Sequence, residues 1–413
     1  MARRRVVVTG IGAVTPIGIT RSAMWEGLRA QRSAVRSITR FDPSEFRSHN
    51  AAEIRDFVPG DFLDRKRAKR LDLFGQYSVV AARMAVEDAA LDVAKERRER
   101  IGANMGTALG GVGYAEDQCA VYFQHGLKHV DPGLALMVFG GAASCNIAIE
   151  LGVQGPNSTN AMSCASGTIA VGNAFRAIRD DDADVMLCGG SEAPLSRLCF
   201  GAFAIIRAMS SRNDAPETSS RPFDRDRDGF VMGEGAVVLV LEERSRALAR
   251  GAPVYAEIMG FGSSNDAHHM TAPLPDGSMA AYAMERALAD ADAQPGDIGY
   301  INAHGSSTPL NDVTETIAIK RVFGERAYRI PVSGTKGYYG HALGASGAFE
   351  AAICSLALQT GWLPPTVNLA TADDACDLDY LKGDGRPADV ETMLSNSFGF
   401  GGINASLVLR RAS

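Results

Sequence analysis

The chain has 413 residues, 46% of them apolar and 22% charged, with a formal net charge of −6. This length holds one large α/β unit or two or three ordinary domains, and the acidic balance excludes general nucleic-acid binding, which depends on neutralising phosphates. Seven cysteines are dispersed without CxxC pairs, a pattern that lacks metal-ligand spacing and fits a reducing compartment, here the cytosol.

In chain order, Arg5 to Thr9 reads as a strand and Ser22 to Gln31 as a helix. No long apolar signal core follows the N-terminal Met-Ala-Arg-Arg-Arg, so no export is expected. Val8-Thr9-Gly10-Ile11-Gly12-Ala13-Val14-Thr15 resembles a dinucleotide-binding fingerprint, but Thr15 stands where the third glycine belongs and Pro16 interrupts the expected helix. A turn needing positive φ at glycine is the simpler reading. Gly106 to Gly111 lacks the Gly-Lys-Ser/Thr ending of a phosphate loop. The apolar run from Gly133 to Val153 is long enough to raise a membrane span. Its paired glycines, Asn146 and Glu150 favour a buried helix at a subunit contact instead, and no membrane partner is expected.

A helix is expected over Ile169 to Ile178, a strand over Val185 to Cys188, and a continuous buried strand over Gly235 to Leu241, ahead of the charged segment Glu242 to Arg250. Gly251-Ala252-Pro253 breaks the chain. A strand over Val254 to Met259, a helix over Met279 to Ala291, a strand over Ile298 to Asn302 and a small-residue helix from His341 to Leu358 follow. This alternation predicts an α/β fold with sheets covered on both faces, divided into halves 1–250 and 251–413. Comparing the halves by eye demonstrates no duplication.

Four stretches carry chemistry. Asn160-Ala161-Met162-Ser163-Cys164-Ala165-Ser166-Gly167-Thr168 sets a thiol at the entrance of a helix, where unpaired N–H groups and the dipole favour thiolate. A buried structural cysteine accounts for this stretch equally well. Asn302-Ala303-His304-Gly305-Ser306-Ser307-Thr308 places a histidine and hydroxyls just after a strand, where α/β proteins bind ligands. Ser333 to Gly347 brackets a glycine-rich helix entrance with Lys336 and His341, and Asn396 to Asn404 is a loop of Phe398 and Phe400 spaced by glycines.

Together, and in this order, these stretches resemble the elongating β-ketoacyl-[acyl-carrier-protein] synthases, condensing enzymes with a Cys-His-His active site. The resemblance runs over nearly the whole chain, from Arg5-Val-Val-Val-Thr-Gly-Ile-Gly through Arg221-Pro-Phe-Asp and Asp228-Gly-Phe-Val-Met-Gly-Glu-Gly to Asn396-Ser-Phe-Gly-Phe-Gly-Gly. It implies a thiolase-like fold of two similar halves in a layered α-β-α-β-α arrangement, and no cofactor. It also implies a dimer: a homodimer, or a heterodimer with a chain-length partner in a type II polyketide or polyene pathway. Thiolases need a second catalytic cysteine and initiating synthases carry Asn in place of the second histidine, whereas this chain has His341. A non-catalytic chain-length subunit typically lacks the nucleophile, and Cys164 is present.

The resemblance implies residue roles. Cys164 would receive the acyl chain from an acyl carrier protein. His304 and His341 would stabilise the enolate formed from malonyl-carrier, and Lys336, paired with Glu315, would support His304. Backbone N–H groups of Cys164 and Phe400 would hold the oxyanion, with Phe400 also the gate. Leu109, Ser306, Thr308 and Phe398 would line the substrate's path. Some family members hold a monovalent cation near Asn302, Glu350 and Asn396. The basic island Arg65-Lys66-Arg67-Ala68-Lys69-Arg70 and Arg207 would dock the acidic carrier, with Lys66, Arg67, Lys69 and Arg70 supplying the steering charge. Three departures bear on substrate range: Ser306 where threonine is usual, Met162-Ser163 before the nucleophile where Thr-Ala is common, and Ile403 where threonine is usual.

Overall fold

A computed structural model describes residues 3–412. Its main sheet runs through ten strands: β1 Val6–Thr15, β2 Ile101–Gly106, β3 Asn157–Asn160, β4 Val185–Glu192, β5 Gly235–Glu243, β6 Ala256–Asn265, β7 Tyr300–Asn302, β8 Val332–Ser333, β9 Thr392–Gly399 and β10 Ile403–Arg411. The order across the sheet is β8-β7-β9-β10-β6-β1-β5-β4-β2-β3, and a two-residue strand, Gly18–Ile19, adds to the end of β1. The first five strands therefore follow the path 1-5-4-2-3 from the middle outward, and the last five follow 6-10-9-7-8, the same path. In both halves the inner pairs are antiparallel and the outer pairs parallel. The halves join at β1 and β6 through Val6–Ile258, Val7–Glu257 and Val8–Ala256. This is the duplication that the two sequences side by side did not disclose.

Five helices matter for the site: α1 Leu73–Asp88, α2 Ser166–Arg179, α3 Ser278–Asp290, α4 Pro309–Phe323 and α5 Ser346–Thr360. Val237, Leu239 and Leu241 of β5 face one core with α2 and α5, while Ala236, Val238 and Val240 face another with α1. A third core joins α3 and α4 to β7, β9 and β10. The layers are thus helix, half-sheet, the α2–α5 pair, half-sheet, helices. Burial on both faces explains why β5 reads as a continuous apolar run rather than an alternating one. In α5 every residue from Ser346 to Leu358 is buried, as expected for a helix at the centre of a large protein.

The glycines of the false fingerprint have a different reason than a turn. Gly10 and Gly12 lie inside β1, and a Cβ there would sit 2.2 Å from the Ala85 carbonyl oxygen and 1.9 Å from that of Ala81, both in α1. Gly260 and Gly262 of β6 meet Ala287 and Ala283 of α3 in the same way, at 2.4 and 2.2 Å. The register also shifts at matching places, between Val8 and Gly10 and between Ile258 and Gly260. Each glycine pair removes side chains so that a helix backbone can lie directly on the strand. The run Gly133 to Val153 breaks into short helices, Leu134–Met137 and Ala142–Leu151, and no helix among the described residues is long and apolar enough to cross a membrane.

Candidate active site

Cys164 sits in a single tight turn, Ser163–Ala165, between β3 and α2. Ser163 takes φ +51, which bends the chain sharply enough to present the next side chain to a cavity. The bend is fastened by Ser166 Oγ, which donates to the Ser163 carbonyl at 2.7 Å and the Thr107 carbonyl at 3.0 Å, and by Asn160 Nδ2 on the Ser166 carbonyl at 3.1 Å. The second half repeats the device: Leu343 takes φ +42 in the turn Leu343–Ala345 that leads into α5. The two helix entrances touch because Gly167 and Gly347 face each other's helix; a Cβ at Gly167 would lie 2.8 Å from Ala348 N and one at Gly347 2.0 Å from Thr168 Oγ1. That close approach brings Cys164 and His341, 177 positions apart in sequence, to one cavity.

The cavity encloses about 450 Å³, and Leu109, Cys164, Phe203, Arg207, His304, Ser306, Thr308, His341, Phe398 and Phe400 are on its wall. A larger cleft of about 680 Å³ near Val254, Leu358 and Arg411 is lined by neither cysteine nor histidine. The His304 and His341 rings stand 5.3 Å apart, nearly perpendicular at 78°. His341 is backed by Phe230 at 5.5 Å, and its Nδ1 lies 2.8 Å from Ser346 Oγ. Behind His304, the fully buried Lys336 Nζ donates to the His304 carbonyl at 2.5 Å and reaches its Nδ1 at 3.4 Å. An ammonium has no acceptor, so His304 Nδ1 accepts and its proton resides on Nε2. At His341 the Ser346 hydroxyl can either donate or accept; when it donates to Nδ1, the proton is on Nε2 there as well. Burial first, and then the Lys336 charge, hold both imidazoles well below 6.5, so the rings are neutral.

The carboxylate paired with Lys336 is Glu350 of α5, not Glu315. Glu315 is already engaged: its two oxygens accept the backbone N–H groups of His304 at 2.8 Å and Gly305 at 2.9 Å, and Asn396 Nδ2 lies 3.3 Å away. It fixes the strand end that carries His304, and burial pushes its carboxyl up to about 7. The expectation of a favoured thiolate at Cys164 also changes. The side chain is only 8% exposed, and burial raises its pKa, opposed by Ser163, Lys336 and the Phe400 N–H. Removing a thiolate from water outweighs the helix entrance in the free protein.

Ser306 and Thr308 bond to each other through their hydroxyls at 2.8 Å, and Thr308 also caps α4. Phe400 lies nearly parallel to Phe203 at 6.4 Å, and Phe398 is 6.0 Å from His304. Arg207, Lys66, Lys69 and Arg70 are exposed, and Arg207 is also on the cavity wall. Arg67 is different: it turns inward to Glu150 at 3.1 Å and the Asn146 carbonyl at 3.2 Å, which removes it from the outward-facing charge. Of the residues tied to a cation, only the buried Asn302 has an unengaged side chain; Glu350 is held by Lys336 and Ser397, and Asn396 Oδ1 by Ser406.

Glu192 escaped the sequence reading. It stands at the end of β4, fully buried, and accepts from Ala108 N at 2.6 Å, from Leu109 N, Gly344 N and Thr107 Oγ1 at 3.0 Å. It thereby locks the loop carrying Leu109 to the turn after His341, although burial pushes its carboxyl up to about 7. A carboxylate ending the buried run Val185 to Ser191 was the available signal.

Comparison with known proteins identifies the family. Residues 3–247 match the model of the beta-ketoacyl synthase N-terminal domain and residues 255–370 that of the beta-ketoacyl synthase C-terminal domain. The chain is 46% identical over 411 residues to a 3-oxoacyl-[acyl-carrier-protein] synthase 2 of Synechocystis, covering 100% of this chain and 99% of the relative. Among solved structures it resembles the ishigamide ketosynthase/chain length factor at a TM-score of 0.94 and 38% identity, with full coverage of both chains. It also resembles AntDE:AntF, a type II polyketide acyl-carrier protein in complex with its ketosynthase, at 0.92 and 34%, again with full coverage of both. The chain belongs to the β-ketoacyl synthase family.

Proposed function

We propose that the protein is an acyltransferase that performs a decarboxylative Claisen condensation, joining an acyl chain held on Cys164 to malonyl-[acyl-carrier-protein] in fatty-acid elongation. The observation that carries this reading is the pair of buried, neutral imidazoles 5.3 Å apart on the same cavity wall as a buried cysteine. In the first half-reaction the Cys164 thiolate attacks the carrier's thioester carbonyl, and the carrier's thiolate leaves. In the second, malonyl-carrier loses carbon dioxide and charge develops on its thioester oxygen. Two Nε2–H donors aimed at that oxygen stabilise the enolate where the charge appears, each contributing about 3–4 kcal/mol. The carbanion then attacks the acyl-Cys164 carbonyl, and the Cys164 thiolate is expelled. Backbone N–H groups of Cys164 and Phe400 hold the oxyanion of both carbonyl attacks. Lys336 keeps the His304 proton on Nε2 and disfavours an imidazolium; it is a positioning residue. Phe400, stacked near Phe203, divides the acyl chamber from the malonyl side. Leu109 limits chain length, and Ser306, Thr308 and Phe398 guide the carrier's pantetheine arm.

An acidic carrier would meet the exposed Lys66, Lys69, Arg70 and Arg207. A second protomer is supported by the large apolar side chains Phe123, Leu136 and Ile149, which are 83%, 71% and 72% exposed, and by β3, which ends the main sheet. A partner would cover such side chains, and an uncovered sheet edge invites pairing. The likeness to a ketosynthase/chain length factor favours a second reading, a catalytic ketosynthase subunit working with a chain-length partner. Either enzyme would act in the cytosol.

Intact-protein mass spectrometry with a panel of acyl-carriers, followed by malonyl-carrier, tests the reading. Acyl mass should load on the wild type, vanish in Cys164→Ala, and leave as a product two carbons longer. A preference for saturated or for polyene chains chooses between the two pathways. Unchanged loading of Cys164→Ala would remove Cys164 from the mechanism.

A further inference from the structure

The residue in front of the nucleophile carries a hydroxyl that the mechanism above leaves unused. Ser163 is half-buried on the cavity wall, and its Oγ lies 3.7 Å from Cys164 Sγ. The backbone does not require a serine there. Leu343 occupies the matching turn of the second half at a similar φ, +42 against +51, with no hydroxyl. The bend itself is fastened by Ser166 Oγ on the Ser163 carbonyl, not by the Ser163 side chain. The turn therefore does not account for the hydroxyl that stands beside the sulfur.

We propose that Ser163 Oγ–H donates a hydrogen bond to the Cys164 thiolate and thereby sets how readily that sulfur is formed and expelled. This rests on the reading of Cys164 as the nucleophile. Against a thiol either partner can donate, but a thiolate has no proton, so the hydroxyl must be the donor. The bond weakens again once the sulfur is esterified, because a thioester sulfur is a poor acceptor. Ser163 thus favours the free thiolate twice, at deprotonation before loading and at departure during condensation. The atoms balance without a further reagent. The C–S bond to Cys164 forms as the carrier's C–S bond breaks, and the proton given up by Cys164 returns to the carrier's thiol.

The surroundings of the sulfur leave room for this effect. Burial pushes the Cys164 thiol up, and the buried Glu192 adds to that push. Opposing it are the Ser163 hydroxyl, the Lys336 ammonium held against Glu350, and the Phe400 N–H, with Ser163 the strongest of the three. His304 and His341 face the same cavity as neutral rings and add no charge.

The test is the pH profile of iodoacetamide alkylation, read on the peptide that carries Cys164, in wild type, Ser163→Ala and Ser163→Gly. Both variants should move the midpoint to higher pH. A shift of one unit would cut the thiolate fraction about tenfold and the net rate at pH 7 about threefold, because a more basic thiolate is also more nucleophilic. A Ser163→Ala profile superimposed on the wild type would overturn the proposal. So would a shift in Ser163→Gly alone, since alanine keeps the bend and glycine frees it. Equal thermal midpoints confirm that the variants fold. Alkylation needs no carrier protein, so its result stands whether or not the chain condenses acyl groups, and a failed condensation with a shifted profile would bear only on the wider reading.

Discussion

In the proposed mechanism His304 and His341 can act as paired donors only while each ring is neutral with its proton on Nε2. Burial and the Lys336 charge both disfavour a second buried cation, which is why both rings sit well below 6.5. Carbon and nitrogen resonances of the two rings should therefore keep their neutral positions as pH falls through 6.5. Lys336→Met removes one positive charge, so the pKa of His304 should rise toward 6.5 while burial keeps it from arriving there. Protonation of either wild-type ring at or above 6.5 would contradict this electrostatic picture. Removing a donor outright, by His304→Ala or His341→Ala, should slow malonyl-carrier decarboxylation by about 10²–10³-fold. Normal decarboxylation in both would end the two-donor mechanism. At this scale, Cys164, His304, His341 and Phe400, each marked in the sequence by small or glycine neighbours, lie on one cavity wall with Lys336 behind His304. The sequence misassigned the partner of Lys336, because Glu315 and Glu350 both lie in helices and only packing decides which one faces the ammonium. Arg67 failed for the same reason, since nothing in a basic run says which side chain folds back onto Glu150.

Strand and helix depend on each other most closely where glycine replaces a side chain. A Cβ at Gly12 would stand 1.9 Å from a backbone oxygen of α1, with no flexible side chain to yield. Gly12→Ala should therefore lower stability by about 3 kcal/mol or more, an overpacking cost that either displaces α1 or bends β1. Gly296→Ala, where a Cβ meets nothing within 4 Å, is the control. The urea midpoint should fall for the first and stay for the second; equal midpoints would show that α1 moves away freely. The sequence located β5, α2 and α3 closely because apolar runs and helix entrances are local signals, but it began α5 at His341, whereas the turn Leu343–Ala345 delays the helix to Ser346. It ended the first strand early, at Thr9, whereas β1 continues to Thr15. Glycines read as breakers when taken alone, and here they extend a strand because a helix supplies what their missing side chains would have filled.

On the scale of the whole molecule, the exposed apolar residues Phe123, Leu136 and Ile149 bear on the dimer expected of the proposed enzyme. They lie on separate helical segments, Val112–His125, Leu134–Met137 and Ala142–Leu151. Sedimentation at micromolar concentration should give twice the chain mass, or a heterodimer when a chain-length partner is supplied. Phe123→Asp combined with Leu136→Asp should give the single chain. A monomeric wild type would count against a dimer formed through these residues. The α/β class and the four stretches that line the cavity were legible in the chain, because periodicity, glycine spacing and a cysteine at a helix entrance are written within a few residues. Only the tertiary structure decided the repeated path 1-5-4-2-3 and 6-10-9-7-8, the pairing of Lys336 with Glu350, and the part played by Glu192. Those depend on backbones and side chains up to hundreds of positions apart arriving within hydrogen-bond distance. Close packing of α2 on α5, through Gly167 and Gly347, is what brings them there.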